Sequence, residues 1–273
     1  MKTTPNLILA TLAGLALATS PATSTTLFFD DFGGSSGTNL NGTPPPTTTG
    51  GETWTAGTTY KADGSFGTAR STATLSFTPV DGFVYTLEAS IGSLASTNNN
   101  WLGFGFAYGE STLNSSNSRF ISNNVNPAPT TIGDGSVTGV AWMFARGSGA
   151  TQANEAYLGS DPTVSSGNSG IADGGPWSAA GTTFGGNLDM RIVLDTTGGT
   201  GNWTATWFAD TGSGFVEVRG EETLLTETIN SVGFAVTDLG SGQINSFSLT
   251  QVPEPSTALL GGIGLLALFR RRR

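Results

Sequence analysis

Carboxylates are almost the only side chains in this sequence with the chemistry to catalyse a reaction. The 273 residues include 20 Asp and Glu but no His and no Cys. Without His and Cys, the usual ligand sets for zinc, copper and haem are absent, and so are the Ser-His-Asp and Cys-His arrangements of nucleophilic catalysis. Two kinds of chemistry remain, namely acid–base catalysis by paired carboxylates and binding of hard cations by oxygen ligands.

Glycoside hydrolysis is the reaction that paired carboxylates would support. It needs two carboxylates that face each other about 5 Å apart for retention of configuration, or up to about 9.5 Å apart for inversion. Asp30 and Asp31 are adjacent, so on a strand they point to opposite faces. Gly220 predicts a turn that separates Glu217 from Glu221 and Glu222. Glu88, the last candidate, stands alone among apolar and hydroxyl residues. Carboxylates distant in sequence can still converge, so a hydrolase stays open as a third hypothesis.

Glycan binding is the leading hypothesis for activity, because sugar rings stack on accessible aromatic rings while amide side chains bind the hydroxyls. Trp101 follows an Asn run that includes Asn99, and its predicted strand face carries only small residues: Gly103, Gly105 and Ala107. Trp177 lies in a predicted long loop and is a candidate second platform. Packing in the core or beneath a loop is the alternative for both rings. Core positions are predicted for three other residues: Trp142, Trp203 and Trp207.

Charge is distributed unevenly along the chain. Five of the eleven basic residues are Lys2 and Arg270 to Arg273. Residues 25–251 contain 6 basic and 19 acidic residues, a net charge of 6 − 19 = −13. A surface of this sign repels nucleic-acid phosphates, so DNA and RNA are excluded as partners.

Residues 25–251 are predicted to form an all-β domain. Trp203, Ala205, Trp207 and Ala209 share one strand face, which is the alternation typical of half-buried strands. Gly-containing turns separate the stretches, and no interior stretch shows a helical period. The predicted strands number twelve: 26–32, 54–60, 72–79, 84–94, 101–108, 139–146, 155–159, 189–195, 203–209, 214–219, 231–237 and 243–251. The pattern predicts a two-sheet β-sandwich.

The first and last strands resemble those of concanavalin A-like (laminin-G/lectin-like) jelly rolls. The resemblance rests on layout across residues 25–251, with Leu27 to Phe32 opening the domain and residues 229–236 and 244–249 closing it. It implies that the terminal strands pair side by side. Both glycan-binding proteins and glycoside hydrolases share this fold. Laminarinase-type hydrolases carry Glu-x-Asp-x-x-Glu or Glu-x-Asp-x-Glu on one strand, and neither spacing occurs here.

The same resemblance implies a site for a structural calcium ion near the terminal strands. Asp30 or Asp31 together with Asn245 would supply the ligands, although members of the family often have Asp where Asn245 stands. Turn-capping or solvated roles are the alternative for these three residues. The sequence establishes no cofactor beyond this predicted calcium ion.

The first 24 residues have the layout of a secretory signal peptide. Lys2 supplies the positive charge, residues 7–18 are mainly apolar, and small residues follow at two candidate cleavage sites, residues 16–18 and 22–24. The mature domain is therefore predicted to be exported.

The last 22 residues resemble the PEP-CTERM sorting signal of bacterial exported proteins. Pro253, Glu254 and Pro255 precede an apolar run at 257–269 and four arginines at 270–273. As a helix the run would span about 20 Å, less than the roughly 30 Å of a bilayer core. The resemblance implies an exosortase-type protease that recognises Pro-Glu-Pro, transient membrane contact through the C-terminal helix, and association with exopolysaccharide.

These observations predict a three-part chain: a signal peptide at 1–24, a jelly-roll sandwich at 25–251 and a sorting signal at 252–273. We expect an exported bacterial protein of the cell envelope or extracellular matrix that binds polysaccharide without catalysis. A purely structural surface or matrix protein is the alternative.

Overall fold

The computed structural model describes residues 23–67, 71–95, 101–108, 120–121, 137–147, 154–158, 175–178, 187–224, 228–236 and 241–254. Nearly all of the predicted signal peptide and the apolar run at 257–269 lie outside these residues. In the part of the chain that is described, no helix has the length and apolar character needed to cross a membrane.

Two sheets contain all of the described strands. In chain order the strands are β1 Thr25–Asp30, β2 Thr47–Thr48, β3 Thr55–Ala56, β4 Ser65–Phe66, β5 Ser71–Ser76, β6 Phe83–Ala95, β7 Leu102–Tyr108, β8 Phe120–Ile121, β9 Val137–Ala145, β10 Asn154–Leu158, β11 Gly175–Ser178, β12 Leu188–Asp195, β13 Thr204–Asp210, β14 Val216–Thr223, β15 Ser231–Val236 and β16 Ser241–Pro253. The first sheet has the order β14-β13-β12-β6-β16-β1-β2, with β4 beside β16. The second has the order β11-β10-β9-β7-β15-β5-β3, with β8 beside β9.

The topology confirms the predicted all-β, two-sheet sandwich, and its terminal strands lie side by side, as the resemblance to concanavalin A-like jelly rolls implies. The terminal strands pair antiparallel, with Phe29 opposite Ser248 and Asp30 opposite Phe247. Except for the parallel pair β8–β9, the described strand pairs are antiparallel.

Aromatic side chains fill the space between the two sheets. Phe247 on β16 of the first sheet lies 5.3 Å from Phe234 on β15 of the second, measured between ring centroids. Trp54 lies 5.2 Å from Phe247, and Phe104 lies 5.8 Å from Phe234. All four side chains are at most 1% exposed, so this cluster holds the sheets together by apolar burial.

A buried carboxylate connects β1 to this core. Asp30 is 5% exposed, and its Oδ2 accepts a hydrogen bond from the indole N–H of Trp54 at 2.7 Å. Its Oδ1 accepts the backbone N–H of Phe32 at 2.7 Å, where the chain leaves β1 with a positive φ of 51° at Phe32. Burial raises the pKa of Asp30, although the hydrogen bonds from Trp54 and Phe32 act in the opposite direction. Asp30 therefore fixes both the Trp54 ring and the turn that follows β1.

The two sheets bury their faces differently. In β12 the inward residues Met190, Ile192 and Leu194 alternate with half-buried ones, as expected for a sheet with one face in the core. In the second sheet every residue of β15 is buried, and so is all of β7 except Tyr108. These two central strands of the second sheet are therefore buried on both faces.

Three local predictions were wrong. The strand predicted at 54–60 contains only Thr55 and Ala56. A turn ends this strand, and the Tyr60 N–H closes the turn by donating to the Gly57 carbonyl. The turn predicted at Gly220 is absent, because β14 passes through it and absorbs the irregularity as register shifts against β13. The last strand ends at Pro253 rather than residue 251.

Replacing Asp30 with Ala should lower the free energy of unfolding by about 2–4 kcal/mol. The change leaves the Trp54 indole and the Phe32 amide without their acceptor, and each buried unsatisfied group costs roughly 1–3 kcal/mol. The measurement is chemical denaturation of the secreted domain. Asp31→Ala is the matched control, because Asp31 is exposed, and it should change the value by less than about 0.5 kcal/mol. Equal effects of the two substitutions would contradict the role given to Asp30.

Candidate functional site

A second aromatic cluster lies on the face of the second sheet that points away from the first sheet. Alternate residues of β9 separate the two clusters: Ala141, Met143 and Ala145 belong to the main core, whereas Trp142 and Phe144 do not. Trp142 and Phe144 pack with Tyr157 of β10 and with Trp101. We call these four rings the outer aromatic cluster.

Small residues on the neighbouring strands make room for these rings. Gly105 of β7 is opposite Trp142, and Gly103 is opposite Phe144. A Cβ atom at Gly105 would lie 2.5 Å from the Trp142 Cβ, closer than real Cβ atoms approach. Because Gly105 has no side chain, β7 and β9 can approach closely beneath the Trp142 side chain.

The four rings stack on one another. The centroid of Trp142 lies 4.6 Å from that of Tyr157, with the planes 23° apart. Trp101 lies 5.3 Å from Phe144 with the planes 20° apart, and 5.4 Å from Trp142. Trp142, Phe144 and Tyr157 are at most 6% exposed, whereas Trp101 is only partly buried. Trp101 is therefore the ring of the cluster that a ligand can reach most easily.

An Arg–Glu pair lies beside the rings. The Arg146 guanidinium is 4.3 Å from the centroid of Phe144, and its Nη1 is 4.0 Å from Oε1 of Glu155. The Tyr157 hydroxyl donates a hydrogen bond to Oε2 of Glu155, and the Asn154 side-chain oxygen accepts the Arg146 backbone N–H. Burial raises the pKa of Glu155 and lowers that of Arg146, and in each case the partner's charge offsets part of the shift. This arrangement places one carboxylate with acceptor capacity next to the stacked rings.

Of the residues predicted to bind glycan, the outer aromatic cluster contains Trp101. Ala107, which shares its predicted strand face, packs with the rings of this cluster, while Asn99 lies outside the described residues. Trp177 is on strand β11 and not in a loop, and β11 pairs with β10 of the same sheet. Trp203 and Trp207 lie in the main core as predicted.

The buried position predicted for Trp142 is confirmed, but the sequence did not identify its neighbours Phe144, Tyr157, Arg146 and Glu155. Trp142 is 2% exposed, and it packs on the face of the second sheet that points away from the first sheet. The signal was available in the Val140 to Ala145 run, which is apolar at every position. An uninterrupted apolar run indicates a strand that is buried on both faces, so alternate residues belong to different clusters.

Two of the three residues predicted to bind calcium accept hydrogen bonds from the protein. Both carboxylate oxygens of Asp30 accept protein hydrogen bonds, and Oδ1 of the exposed Asp31 accepts the Gly33 N–H at 3.2 Å. Asn245 lies on β16 at a register shift against β6. Within the described ranges, no three His, Cys, Asp or Glu side chains converge as metal ligands. No cofactor is established for the domain.

Each arginine in the described part of the chain pairs with a glutamate. Besides Arg146 and Glu155, Arg191 Nε lies 2.6 Å from Oε1 of Glu88, and Arg219 Nη2 lies 2.7 Å from Oε2 of Glu222. Arg219 also donates a hydrogen bond to the Ala156 carbonyl of the opposite sheet at 2.8 Å. These arginines therefore serve as ion-pair partners, and the described surface offers no cluster of uncompensated positive charge.

Residues 251–273 match the family model described as the PEP-CTERM protein-sorting motif. This chain carries a PEP-CTERM sorting motif. The match contains the predicted recognition residues Pro253, Glu254 and Pro255. The protein is accordingly an exported protein that is sorted to the cell envelope or extracellular surface.

Solved structures with similar folds include hydrolytic and lectin-like proteins. An endo-1,3-beta-glucanase from Streptomyces sioyaensis shares 14% identity, covering 85% of this chain and 98% of its own, with a TM-score of 0.47. Arcelin-5, a lectin-like defense protein from Phaseolus vulgaris, shares 14% identity over 84% of this chain and 99% of its own, with a TM-score of 0.44. A Bauhinia forficata lectin in complex with GalNAc shares 11% identity over 85% and 99%, with a TM-score of 0.41. No curated protein matches the sequence.

Proposed function

We propose that the exported domain binds polysaccharide in or on the extracellular matrix without catalysis, through the outer aromatic cluster. The observation that carries this proposal is the placement of Trp101. Its partly buried ring is held nearly parallel to Phe144 at 5.3 Å, beside a carboxylate and a guanidinium. A fixed aromatic plane with hydrogen-bonding groups at its side is the arrangement that suits a sugar ring, and a ring already held in place loses little entropy on binding.

The charge of the domain favours a neutral polysaccharide. Residues 25–251 carry a net charge of −13, by the counts of 6 basic and 19 acidic residues. The described arginines that could attract uronate or sulfate groups are already paired with glutamates. An anionic polymer would therefore meet overall repulsion without a compensating cationic site.

A glycoside hydrolase is the second candidate, because one observation favours it. Burial raises the pKa of Glu155, and a raised pKa is a feature of a carboxyl group that acts as a general acid. Hydrolysis also needs a second carboxylate across the scissile bond, and the described contacts bring only Glu155 to the cluster. A purely structural matrix role is the remaining alternative.

Trp101→Ala should weaken retention by neutral polysaccharides about tenfold. Loss of the ring removes the apolar area that a sugar ring would cover, and a loss of about 1.4 kcal/mol corresponds to a tenfold change in affinity. The measurement is affinity electrophoresis against a panel of neutral and anionic polysaccharides, with thermal unfolding of each variant as the check on folding.

Phe29→Ala is the matched control for this assay. Phe29 is 39% exposed but lies on β1 of the first sheet, so its loss should leave retention unchanged. Repeating the assay with calcium and with a chelator tests the predicted calcium ion, and we expect no dependence because the Asp30 oxygens are already engaged. Equal retention of Trp101→Ala and the wild type would contradict binding through the outer aromatic cluster, whereas no retention of the wild type by any polysaccharide would favour the purely structural role.

Glu155→Gln separates binding from hydrolysis. We expect the wild-type protein to release no reducing sugar from any polysaccharide that it retains, and the variant to behave in the same way. Sugar release by the wild type that is abolished in Glu155→Gln would contradict the non-catalytic proposal and identify Glu155 as the acid.

We also propose that an exosortase-type protease removes the C-terminal segment, after transient membrane contact through the predicted helix at 257–269. The pairing of strand β16 limits where the protease can cut. Val252 pairs with Val84 of β6, and Pro253 pairs with Phe83. A cut before residue 252 would shorten a central strand of the first sheet.

Mass spectrometry of the mature extracellular protein should therefore find a C-terminus at or after Pro253 and before the apolar run at 257–269. Pairing with β6 protects the preceding bonds, because proteolysis of a paired strand requires local opening. Pro253→Ala with Pro255→Ala should retain the intact tail, whereas Pro79→Ala, outside the motif, should not. Recovery of Arg273 in the mature wild-type protein would contradict the processing proposal.

A further inference from the structure

A cavity of about 400 Å³ lies on the side of the sandwich where β1 and the segment after β5 meet. Its lining comes from both sheets and includes Phe28 of β1, Phe77 after β5 and Tyr85 of β6. None of its lining residues belongs to the outer aromatic cluster. We call this cavity the β1–β5 pocket. Its volume falls in the range of roughly 300–1,000 Å³ that is usual for small-ligand sites.

Three aromatic rings form the floor of the β1–β5 pocket. Phe77 lies 6.4 Å from Phe28 and 5.2 Å from Tyr85, with the ring planes at 83° and 73°. The Tyr85 hydroxyl accepts the Val80 N–H at 2.9 Å and lies 3.3 Å from the Val80 carbonyl, to which it donates. Phe28, Phe77 and Tyr85 are at most 8% exposed. The floor is therefore preformed, apolar and fixed by edge-to-face packing.

The rim of the pocket is polar. Ser76 and Thr78 alternate with Phe77 and are exposed, and Gln251 of β16 is half-buried opposite them in the lining. None of the side chains of Ser76, Thr78 and Gln251 forms a hydrogen bond with another described residue. Two hydroxyls and one amide can therefore donate to or accept from a bound molecule.

Glu52 is the one charged residue in the lining. Burial acts to raise its pKa, but hydrogen bonds from the Thr48 hydroxyl and from backbone N–H groups outweigh burial, so the pKa is lowered. Oε2 receives the Thr48 hydroxyl and the Gly50 N–H. The carboxylate is therefore ionised at neutral pH, and it accepts hydroxyl groups while repelling anions.

We propose that the β1–β5 pocket is a second carbohydrate site that holds one uncharged sugar ring. The hydroxyls of a pyranose match the hydrogen-bonding groups of Ser76, Thr78, Gln251 and Glu52, which surround a small apolar floor. A lipid chain fits poorly, because it would bury these polar groups without partners. A uronic acid, a sulfated sugar or a phosphate would face the Glu52 carboxylate.

A second site gives the domain a way to join two glycan chains. The outer aromatic cluster and the β1–β5 pocket share no residues, so both can be occupied at once. Linked sites on one rigid domain raise the strength of attachment to a polymer without any new contact. The joining of two glycan chains rests on the proposed function, whereas the binding of a sugar in the β1–β5 pocket does not.

Saturation-transfer NMR and titration with neutral monosaccharides, and with glucuronate as the anionic probe, test the pocket. At about 10 mM a site of roughly millimolar affinity is well occupied. We expect binding of at least one of glucose, galactose, mannose and N-acetylglucosamine, with glucuronate bound at least about tenfold more weakly. Gln251→Ala should weaken binding of the neutral sugar several-fold.

Glu52→Gln tests the charge argument directly. The amide keeps an oxygen for the Gly50 N–H but removes the negative charge, so the preference for neutral sugar over glucuronate should fall several-fold. Thermal unfolding of Glu52→Gln and Gln251→Ala shows whether both remain folded. Gln243→Ala, a half-buried glutamine elsewhere on β16, is the matched control and should leave sugar binding unchanged.

Trp101→Ala distinguishes failure of this proposal from failure of the proposed function. We expect it to lose polysaccharide retention and keep monosaccharide binding in the β1–β5 pocket. Absence of binding by every neutral sugar at about 10 mM, equal binding of glucuronate, or monosaccharide binding that Trp101→Ala abolishes and Gln251→Ala does not, would each overturn the pocket proposal.

Discussion

The close approach of three strands at two glycines determines how the second sheet is built. Gly233 of β15, Gly105 of β7 and Trp142 of β9 lie in one row across the sheet. A Cβ atom at Gly233, where φ is 152°, would lie 2.1 Å from the Ala73 carbonyl oxygen, and one at Gly105 would collide with Trp142. Because glycine has no side chain, the strands can approach closely at both positions. Phe104 and Phe234 then pack inward, and the Trp142 side chain occupies the opposite face. The main core and the outer aromatic cluster therefore depend on the same two residues.

The sequence predicted the architecture better than the site, for a physical reason. Period-two alternation located β6, β12, β13 and β16, because these strands have one face in the core and one partly exposed. That signal disappears in β9, where both faces are buried, so alternation does not show which of the two clusters Trp142 belongs to. Trp101 was found because small residues follow it at alternate positions. Its stacking partner Phe144 is distant in sequence, and only the strand register brings the two together.

Pairing of charges explains how an acidic domain keeps buried ionic groups. Arg146 and Arg219 have side chains that are 7% and 8% exposed, and each has a glutamate partner that is more exposed. Arg219 also lies 5.1 Å from the Trp207 ring and bonds a carbonyl of the opposite sheet. Removing one member of such a pair would leave a charge in a poorly solvated position, which costs more than the pair contributes. These arginines therefore stabilise the fold. The groups that remain to bind a ligand are mainly hydrogen-bond acceptors.

Strand β16 connects the features on which the proposals depend. Phe247 places it in the core, Gln251 places it in the lining of the β1–β5 pocket, and Val252 and Pro253 continue its pairing with β6 into the sorting motif. Because β16 lies between β6 and β1, loss of its last residues would disturb the pocket lining as well as the sheet. Removal of the tail after Pro253 would keep both intact. The extension of the strand into the motif thus lets a sorted protein lose its C-terminal signal and keep a complete sandwich.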